Sequence, residues 1–423
     1  MQPNTNEQPI NPVPAKPSGF FGLGIAPNIL NVLEKNGFTA PTPIQTKAIP
    51  VAVTGQDVMG IAQTGTGKTL AFGIPMIQRI AQGKGPALVV LPTRELALQV
   101  TESLQKIGQT LGIRTATLIG GAPMNKQVGE IRRGPHIVIG TPGRIIDHLE
   151  QRTLVLGSVK MLVLDEADRM LDMGFAPQLK KIMATVPSER QTLLFSATMP
   201  VEIMQMAKAF MKLPVHIEIA PQGTAAEKVT QEVFVLSREQ KPGLLQKILA
   251  DYRGSVLVFT RTKFGAKKVA RDVRNAGHTA DEIHSNRSLN QRKAALLGFR
   301  NGSYRVLVAT DIAARGIDVT GIELVLNYDL PDQAEDYIHR IGRTGRAGAA
   351  GHAISFATHD QRGDLRTIER LLRKALPMAK LPDSIPIVKS PVIHEPMEDA
   401  RRPHFANRGP RRPFGGNRRR FGR

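Results

Sequence analysis

The chain has 423 residues, with no cysteine, no tryptophan and only 4% aromatic residues. Without cysteine there is no disulfide and no thiolate metal site, which leads to the expectation of a cytoplasmic protein. Acidic residues are also scarce: 36 Asp and Glu stand against 57 Lys and Arg, a formal net charge of +21. A surplus of that size points to a polyanionic partner, most often nucleic acid. No apolar run approaches the roughly 20 residues needed to span a bilayer, so no membrane association is expected. The first residues, "MQPNTNEQPINPVPAKPSG", show no basic start followed by an apolar core, so no secretory signal is expected there.

What is present is ordinary globular composition, 41% hydrophobic and 22% charged, in a length that allows two or three domains. Residues 1–19 carry five prolines and are expected to form a disordered arm. Over 20–219, short apolar runs (57–61, 87–91, 115–119, 136–140, 161–164 and 192–195) alternate with amphipathic stretches. In one of these, Leu70, Ile74, Ile77 and Ile80 share a helical face. Such alternation predicts a parallel sheet covered on both faces. Residues 220–228 lack periodicity and read as a linker. The pattern restarts with runs at 255–259, 305–309 and 323–327, predicting a second α/β domain over 229–377. Residues 378–423 read as a disordered Pro/Arg-rich tail. Its last 23 residues hold nine arginines and no acid, with Phe405, Phe414 and Phe421 interleaved, a composition suited to nucleic acid.

In "GIAQTGTGKTLAF" a strand ends, a glycine-rich loop follows and a helix begins, with the spacing of a phosphate-binding loop; Ala62 stands where that pattern has its first glycine. Gly65 and Gly67 let backbone N–H groups close on phosphate oxygens at a helix N-terminus. Lys68 would reach the β- and γ-phosphates and Thr69 would ligate Mg²⁺. The stretch "MLVLDEADRML" then sets Asp165, Glu166 and Asp168 at the end of another strand. Carboxylates crowded there repel one another unless a positive partner is supplied. A nucleotide with Mg²⁺ supplies it: Asp165 would hold the metal and Glu166 would orient or deprotonate the attacking water.

With those residues in place, the chain resembles the DEAD-box family of ATP-dependent RNA helicases, in particular its bacterial RhlE group. The ordered motif set is "GFTAPTPIQ" (37–45), "AQTGTGKT" (62–69), "PTRELA" (92–97), "GG" (120–121), "TPGR" (141–144), "DEAD" (165–168), "SAT" (196–198), "LVFT" (257–260), "ATDIAARGID" (309–318) and "HRIGRTGR" (339–346). The resemblance implies two tandem RecA-like domains of the P-loop NTPase class, helicase superfamily 2. ATP and single-stranded or short-duplex RNA would lie across the cleft, and ATP would be hydrolysed to ADP and phosphate.

The same resemblance assigns roles. The nucleotide would be held by Phe20 stacking on the base, Gln45 at the adenine edge, the loop Ala62, Gln63, Thr64, Gly65, Thr66, Gly67, Lys68 and Thr69, and Asp318 at the ribose. Arg343 and Arg346 would reach the γ-phosphate from the second domain, as arginine fingers do. Asp168, Ser196, Thr198 and His339 would couple the acidic site to domain closure. RNA would be met by Arg94, Gly121, Thr141 and Arg144 in the first domain, and by Arg261, Arg292 and Thr310 in the second. These contacts suit backbone phosphates and 2′-hydroxyls and read no bases. Two positions depart from the family pattern: Leu289 replaces the first glutamine of Q-x-x-R, and "HSN" (284–286) replaces the usual His-Gly-Asp or His-Gly-Asn. The same motifs would serve an RNA clamp or chaperone without productive unwinding. A DNA translocase is disfavoured by "DEAD" and "GFTAPTPIQ". Ribosomal-precursor or RNA-decay complexes are the assemblies such an enzyme would join.

Overall fold

The protein is described by a computed structural model covering residues 19–63, 65–219, 229–314, 321–345 and 351–385, without the side chains of Ile312 and Ala314. Residues 1–18 of the expected N-terminal arm, the linker 220–228, the arginine-rich tail from 386 on, and Thr64, Asp318 and Arg346 lie outside the described residues, while Gly19 of that arm is described and its N–H donates to Thr39 O (3.1 Å).

The first sheet has strands β1 (Val58–Ile61), β2 (Ala87–Val90), β3 (Thr115–Leu118), β4 (Ile137–Gly140), β5 (Met161–Leu164), β6 (Gln191–Ser196) and β7 (Val215–Glu218), in the order β3-β4-β2-β5-β6-β1-β7. The second has β8 (Val229–Val235), β9 (Val256–Phe259), β10 (Ala280–Ile283), β11 (Val306–Ala309), β12 (Leu324–Asn327) and β13 (Gly351–Ala357), in the order β10-β11-β9-β12-β13-β8. Every pairing is parallel. Strand for strand, the second order repeats the first six positions of the first, so the two domains are one architecture used twice.

Parallel strands buried on both faces must be apolar at every position, and the burial shows why. Val89, Ile139, Val163 and Leu193 enter one core cluster, while their neighbours Leu88, Val138, Leu162 and Leu194 enter another on the opposite face. The second sheet divides likewise, Val256, Val306 and Leu324 from Leu257, Leu307 and Val325. Each such side chain contributes roughly 1.5–3 kcal/mol by leaving water.

Three departures from the sequence reading have physical causes. The helix Lys68–Ala81 is buried on all sides from Leu70 to Gln78, not on one face, because it lies within the first domain's core. Strands β7, β8, β10 and β13 were not expected. β10 reads "ADEI", and its carboxylates are taken by Arg287 on Asp281 and by Arg274 on Glu282 (2.9 Å), which makes a polar edge strand tolerable. The second domain also runs past the expected boundary at 377. Val233 of β8 bonds to Pro377 (2.9 Å) and Ala379 (2.8 Å), and Leu381 and Ile385 pack on the core, so the chain covers an otherwise open sheet edge.

Candidate nucleotide and nucleic-acid sites

The phosphate loop leaves β1 beside β6, where Ala62 N–H still donates to Ser196 O at 2.9 Å. Gly67 then takes φ 93°, ψ 20° and caps the helix that Lys68 begins. A Cβ at Gly67 would sit 2.4 Å from Gln45 Nε2, so both the backbone and the space require glycine. Gln45 Nε2 donates to Gly67 O (3.0 Å), and its Oε1 accepts from Thr42 N–H (2.9 Å). The residue expected at the adenine edge is therefore also the clamp that holds the loop shut. Thr69 follows Lys68 and is half-buried.

Phe20 requires a correction. Its ring is 1% exposed and packed in the first domain's core, so no face is open to a stacking base; Phe21 beside it is 71% exposed. The spacing to Gly37 located an aromatic residue, but packing decided which way it turns.

At the end of β5 the three carboxylates are buried together. Lys68 Nζ lies 3.0 Å from Glu166 Oε1 and 3.9 Å from Asp165 Oδ1. Burial works against a charged lysine, yet Glu166, Asp165 and Asp168 outweigh it and hold the Lys68 pKa above its ordinary value. Burial pushes the Asp165 carboxyl up to about 7, against the pull of Lys68. Among the described residues it accepts a hydrogen bond from Glu166 N–H (2.9 Å), and the nearest cation is Lys68 Nζ at 3.9 Å. Glu166 sits in the left-handed region (φ 55°, ψ 48°), a conformation costing about 1–3 kcal/mol in a non-glycine residue. Its Oε2 faces Arg169 Nε at 3.1 Å.

Asp168 turns away from this cluster. Its Oδ2 accepts from Ala197 N–H (3.1 Å), Thr198 N–H (2.9 Å) and Thr198 Oγ1–H (2.9 Å), while its own N–H donates to Ser196 Oγ (3.3 Å). The expected coupling group Asp168–Ser196–Thr198 is thus assembled, and its loop lines a cleft of about 460 Å³ facing His339 and Arg343 of the second domain. Arg343 is buried, and its Nε donates to His339 O (3.2 Å). Arg340, between these two in sequence, is structural: Asp311, Asn327 and the Asp329 carbonyl hold its guanidinium over the Phe259 ring.

The nucleic-acid candidates gather on the other half of the sheet edges. The Arg94 guanidinium lies against Gly121, where a Cβ would be 2.6 Å from Nη1. Burial, then the charges of Arg292 and Arg144 against the pull of Glu95, hold the Arg94 pKa below its ordinary value. Thr141 caps the helix carrying Arg144, whose Nη1 donates to Ala122 O (3.0 Å). Thr310 and Arg261 follow the adjacent strands β11 and β9, Arg261 leaning on Asp332 (3.1 Å). Arg292 is not presented openly: it is buried, with Nε 2.8 Å from Glu95 Oε1 across the domain boundary. Leu289, one turn before it, packs against the first domain's core. Motif reading missed Glu95 and Arg169. Only the i, i+3 spacing of Arg169 from Glu166 was visible in the sequence.

In the first sheet the strands β5, β6 and β1 are neighbours and carry the nucleotide residues, while β2, β4 and β3 carry those assigned to RNA. The two sets of candidates thereby lie side by side on one carboxyl edge, which is where open α/β sheets bind ligands.

The geometry agrees with what the chain is similar to. The DEAD/DEAH box helicase family model matches residues 42–206, and the helicase conserved C-terminal domain model matches 240–348. The DEAD-box ATP-dependent RNA helicase CshA of Geobacillus kaustophilus is 42% identical over 86% of this chain and 78% of its own length. Among solved structures, S. cerevisiae Dbp5 bound to RNA and ADP BeF3 superposes with a TM-score of 0.77 at 30% identity, over 86% of this chain and 96% of that one. The DEAD-box helicase Mss116 bound to ssRNA and UDP-BeF gives 0.79 at 29% identity, over 86% and 80%. A phosphate loop and acidic cluster on one half of a RecA-like edge, arginines on the other, and this extent of likeness together establish that the chain belongs to the DEAD-box family of ATP-dependent RNA helicases.

Proposed function

We propose that hydrolysis runs through Lys68, Asp165 and Glu166 on the first domain, completed by Arg343 and Arg346 from the second. The reading is carried by the buried acidic cluster: Asp165 and Glu166 face one lysine at the start of the phosphate-loop helix. The triphosphate would draw Lys68 to itself. Among the described residues no group of three or more His, Asp or Glu side chains forms a metal site, so phosphate oxygens would complete the coordination, the usual manner for Mg²⁺. Asp165 and the Thr69 hydroxyl fit that role. Mg²⁺ held by Asp165 and Thr69 would supply positive charge against that developing on the phosphates. Glu166 then accepts the proton of the attacking water. Arginine charge arrives only when the domains approach, so ATP and RNA, each favouring the closed state by its own contacts, would be coupled through it.

RNA would be held by Arg94, Gly121, Thr141, Arg144, Arg261 and Thr310 through its backbone, as single-stranded RNA or one strand of a short duplex. Gln45 would read adenine. The relatives bound to RNA and to nucleotide analogues support this reading. Asp165→Asn should abolish Mg²⁺-dependent hydrolysis while leaving RNA binding without nucleotide unchanged; retained hydrolysis would remove Asp165 from the metal site. Duplex release with ATP but not with a non-hydrolysable analogue supports cycling unwinding, and equal release would support a clamp. Membership of the RhlE group, a cytoplasmic location, and work on ribosomal precursors or RNA decay are parts of the same proposal. A phylogeny placing the chain with the CshA proteins would overturn the first.

A further inference from the structure

Arg169 lies immediately after the "DEAD" tetrapeptide and is, with Arg340, the largest of the fully buried side chains among the described residues, 0% exposed. A guanidinium is buried so completely only where charge holds it. Its Nε stands 3.1 Å from Glu166 Oε2, an ion pair rather than an aligned hydrogen bond. Its Nη2 lies 3.5 Å from Nδ1 of His339, on the second domain. The Glu166 carboxylate is therefore bracketed, with Lys68 on Oε1 and Arg169 on Oε2.

The two cations are not equivalent. Lys68 belongs to the phosphate loop, and nucleotide phosphates compete for it. Arg169 belongs to the short helix Ala167–Asp172 and has no phosphate within its own element to follow. When Lys68 turns to the nucleotide, Oε1 loses that partner and Oε2 keeps Arg169. The backbone of Glu166 is already fixed in the left-handed region, so a second anchor on Oε2 leaves the carboxylate little freedom. His339 touches the same guanidinium, so the approach of the second domain acts on the group that aims Glu166.

We propose that Arg169 is a positioning residue: it holds Glu166 by Oε2 for its work on water and transmits the approach of the second domain through His339. The proposal rests on the reading of Glu166 as the group that activates water. A carboxylate misplaced by about 1 Å can lose on the order of 10²-fold in rate. Arg169 acts on that placement without touching nucleotide.

The test uses the full chain, with ATP hydrolysis measured at saturating RNA and without RNA. Arg169→Met should lower kcat with RNA by about 10²-fold while KM for ATP stays near its starting value. Arg169→Lys should recover a large part of the hydrolysis seen without RNA, because an ammonium can still reach Oε2, yet its RNA stimulation should remain low, because it cannot also span to His339. In Glu166→Gln, adding Arg169→Met should cost little more, since both act on one carboxylate. Full kcat in Arg169→Met, additive losses in the double variant, or a raised KM with unchanged kcat would each overturn the proposal. If Arg169→Met does not fold, Arg169→Lys decides: unchanged kcat together with unchanged RNA stimulation refutes it. Near-normal turnover in Glu166→Gln would instead refute the underlying reading of Glu166.

Discussion

Two lysines occupy corresponding places in the two domains. Lys68 begins the helix after β1 and reaches the residues that follow β5; Lys241 begins the helix after β8 and reaches those that follow β12. Lys241 Nζ donates to Tyr328 O (2.7 Å) and Asp329 Oδ1 (2.8 Å), and lies 5.3 Å from the centre of the Tyr328 ring. One carboxylate and one carbonyl satisfy it. Lys68 faces two buried carboxylates, Glu166 at 3.0 Å and Asp165 at 3.9 Å, and burial pushes the Asp165 carboxyl up to about 7. The same topology thus gives a closed structural contact in one domain and a buried cluster of carboxylates around the lysine in the other. No second GxxxxGK[ST] sequence follows β8, so the second domain has no loop to cradle phosphate. What it places at the cleft with the first domain is Arg343, beside His339.

The widest effect expected from this comparison is at the arginines. Arg346→Ala, or Arg343→Ala, should lower ATP turnover by about 10³-fold or more, as loss of an arginine finger does, with nucleotide affinity little changed. Stopped-flow hydrolysis beside equilibrium nucleotide binding checks it, and a joint fall of both would make the arginine structural. Glu166→Gln keeps size and reach but removes the basic lone pair. Turnover should fall by ~10²–10⁴-fold, while RNA held in the presence of ATP dissociates more slowly than from the unaltered protein. Lost ATP binding would mean that Glu166 serves the metal site instead.

Lys241→Met tests the other side. It should leave turnover below the melting range unchanged and lower stability by about 1–3 kcal/mol, read from thermal unfolding. Lost turnover in a folded variant would break the comparison by giving the second lysine a share in the chemistry. Leu289→Gln restores the residue of the family pattern and removes an apolar contact between the domains. Basal hydrolysis without RNA should fall about threefold to tenfold, equivalent to about 1 kcal/mol of half-buried leucine, and the RNA stimulation ratio should rise. An unchanged ratio would show that Leu289 does not bias the domains toward each other. Smallest is the effect of removing residues 401–423: weaker RNA binding, and a salt slope of log affinity shallower by roughly 0.7 for each phosphate no longer neutralised. Turnover at saturating RNA should stay the same.

The phosphate loop and the acidic cluster were legible because their chemistry is local: glycines, lysine and carboxylates at fixed spacing beside apolar strands. The strands they follow could be placed to within about a residue for the same reason. β10 could not, because its Asp281 and Glu282 are tolerable only through Arg287 and Arg274, and those pairings are made in space. Phe20 matched by spacing and then turned inward. Arg292 matched as an RNA contact, yet it pairs with Glu95, a residue about two hundred positions away in the chain.

The sequence by itself determined the family and the elements that carry the phosphate loop and the acidic cluster, since strand, loop and helix follow from patterns a few residues long. It did not determine their neighbours. In parallel sheets each crossover returns the chain to a position that the order of residues does not specify, and here it sorts β5, β6 and β1 from β2, β4 and β3. That sorting sets the phosphate loop and acidic cluster apart from the Arg94 and Arg144 loops on one edge. It also leaves Arg169 between Glu166 and His339, a contact between domains that forms only when both sheets are packed.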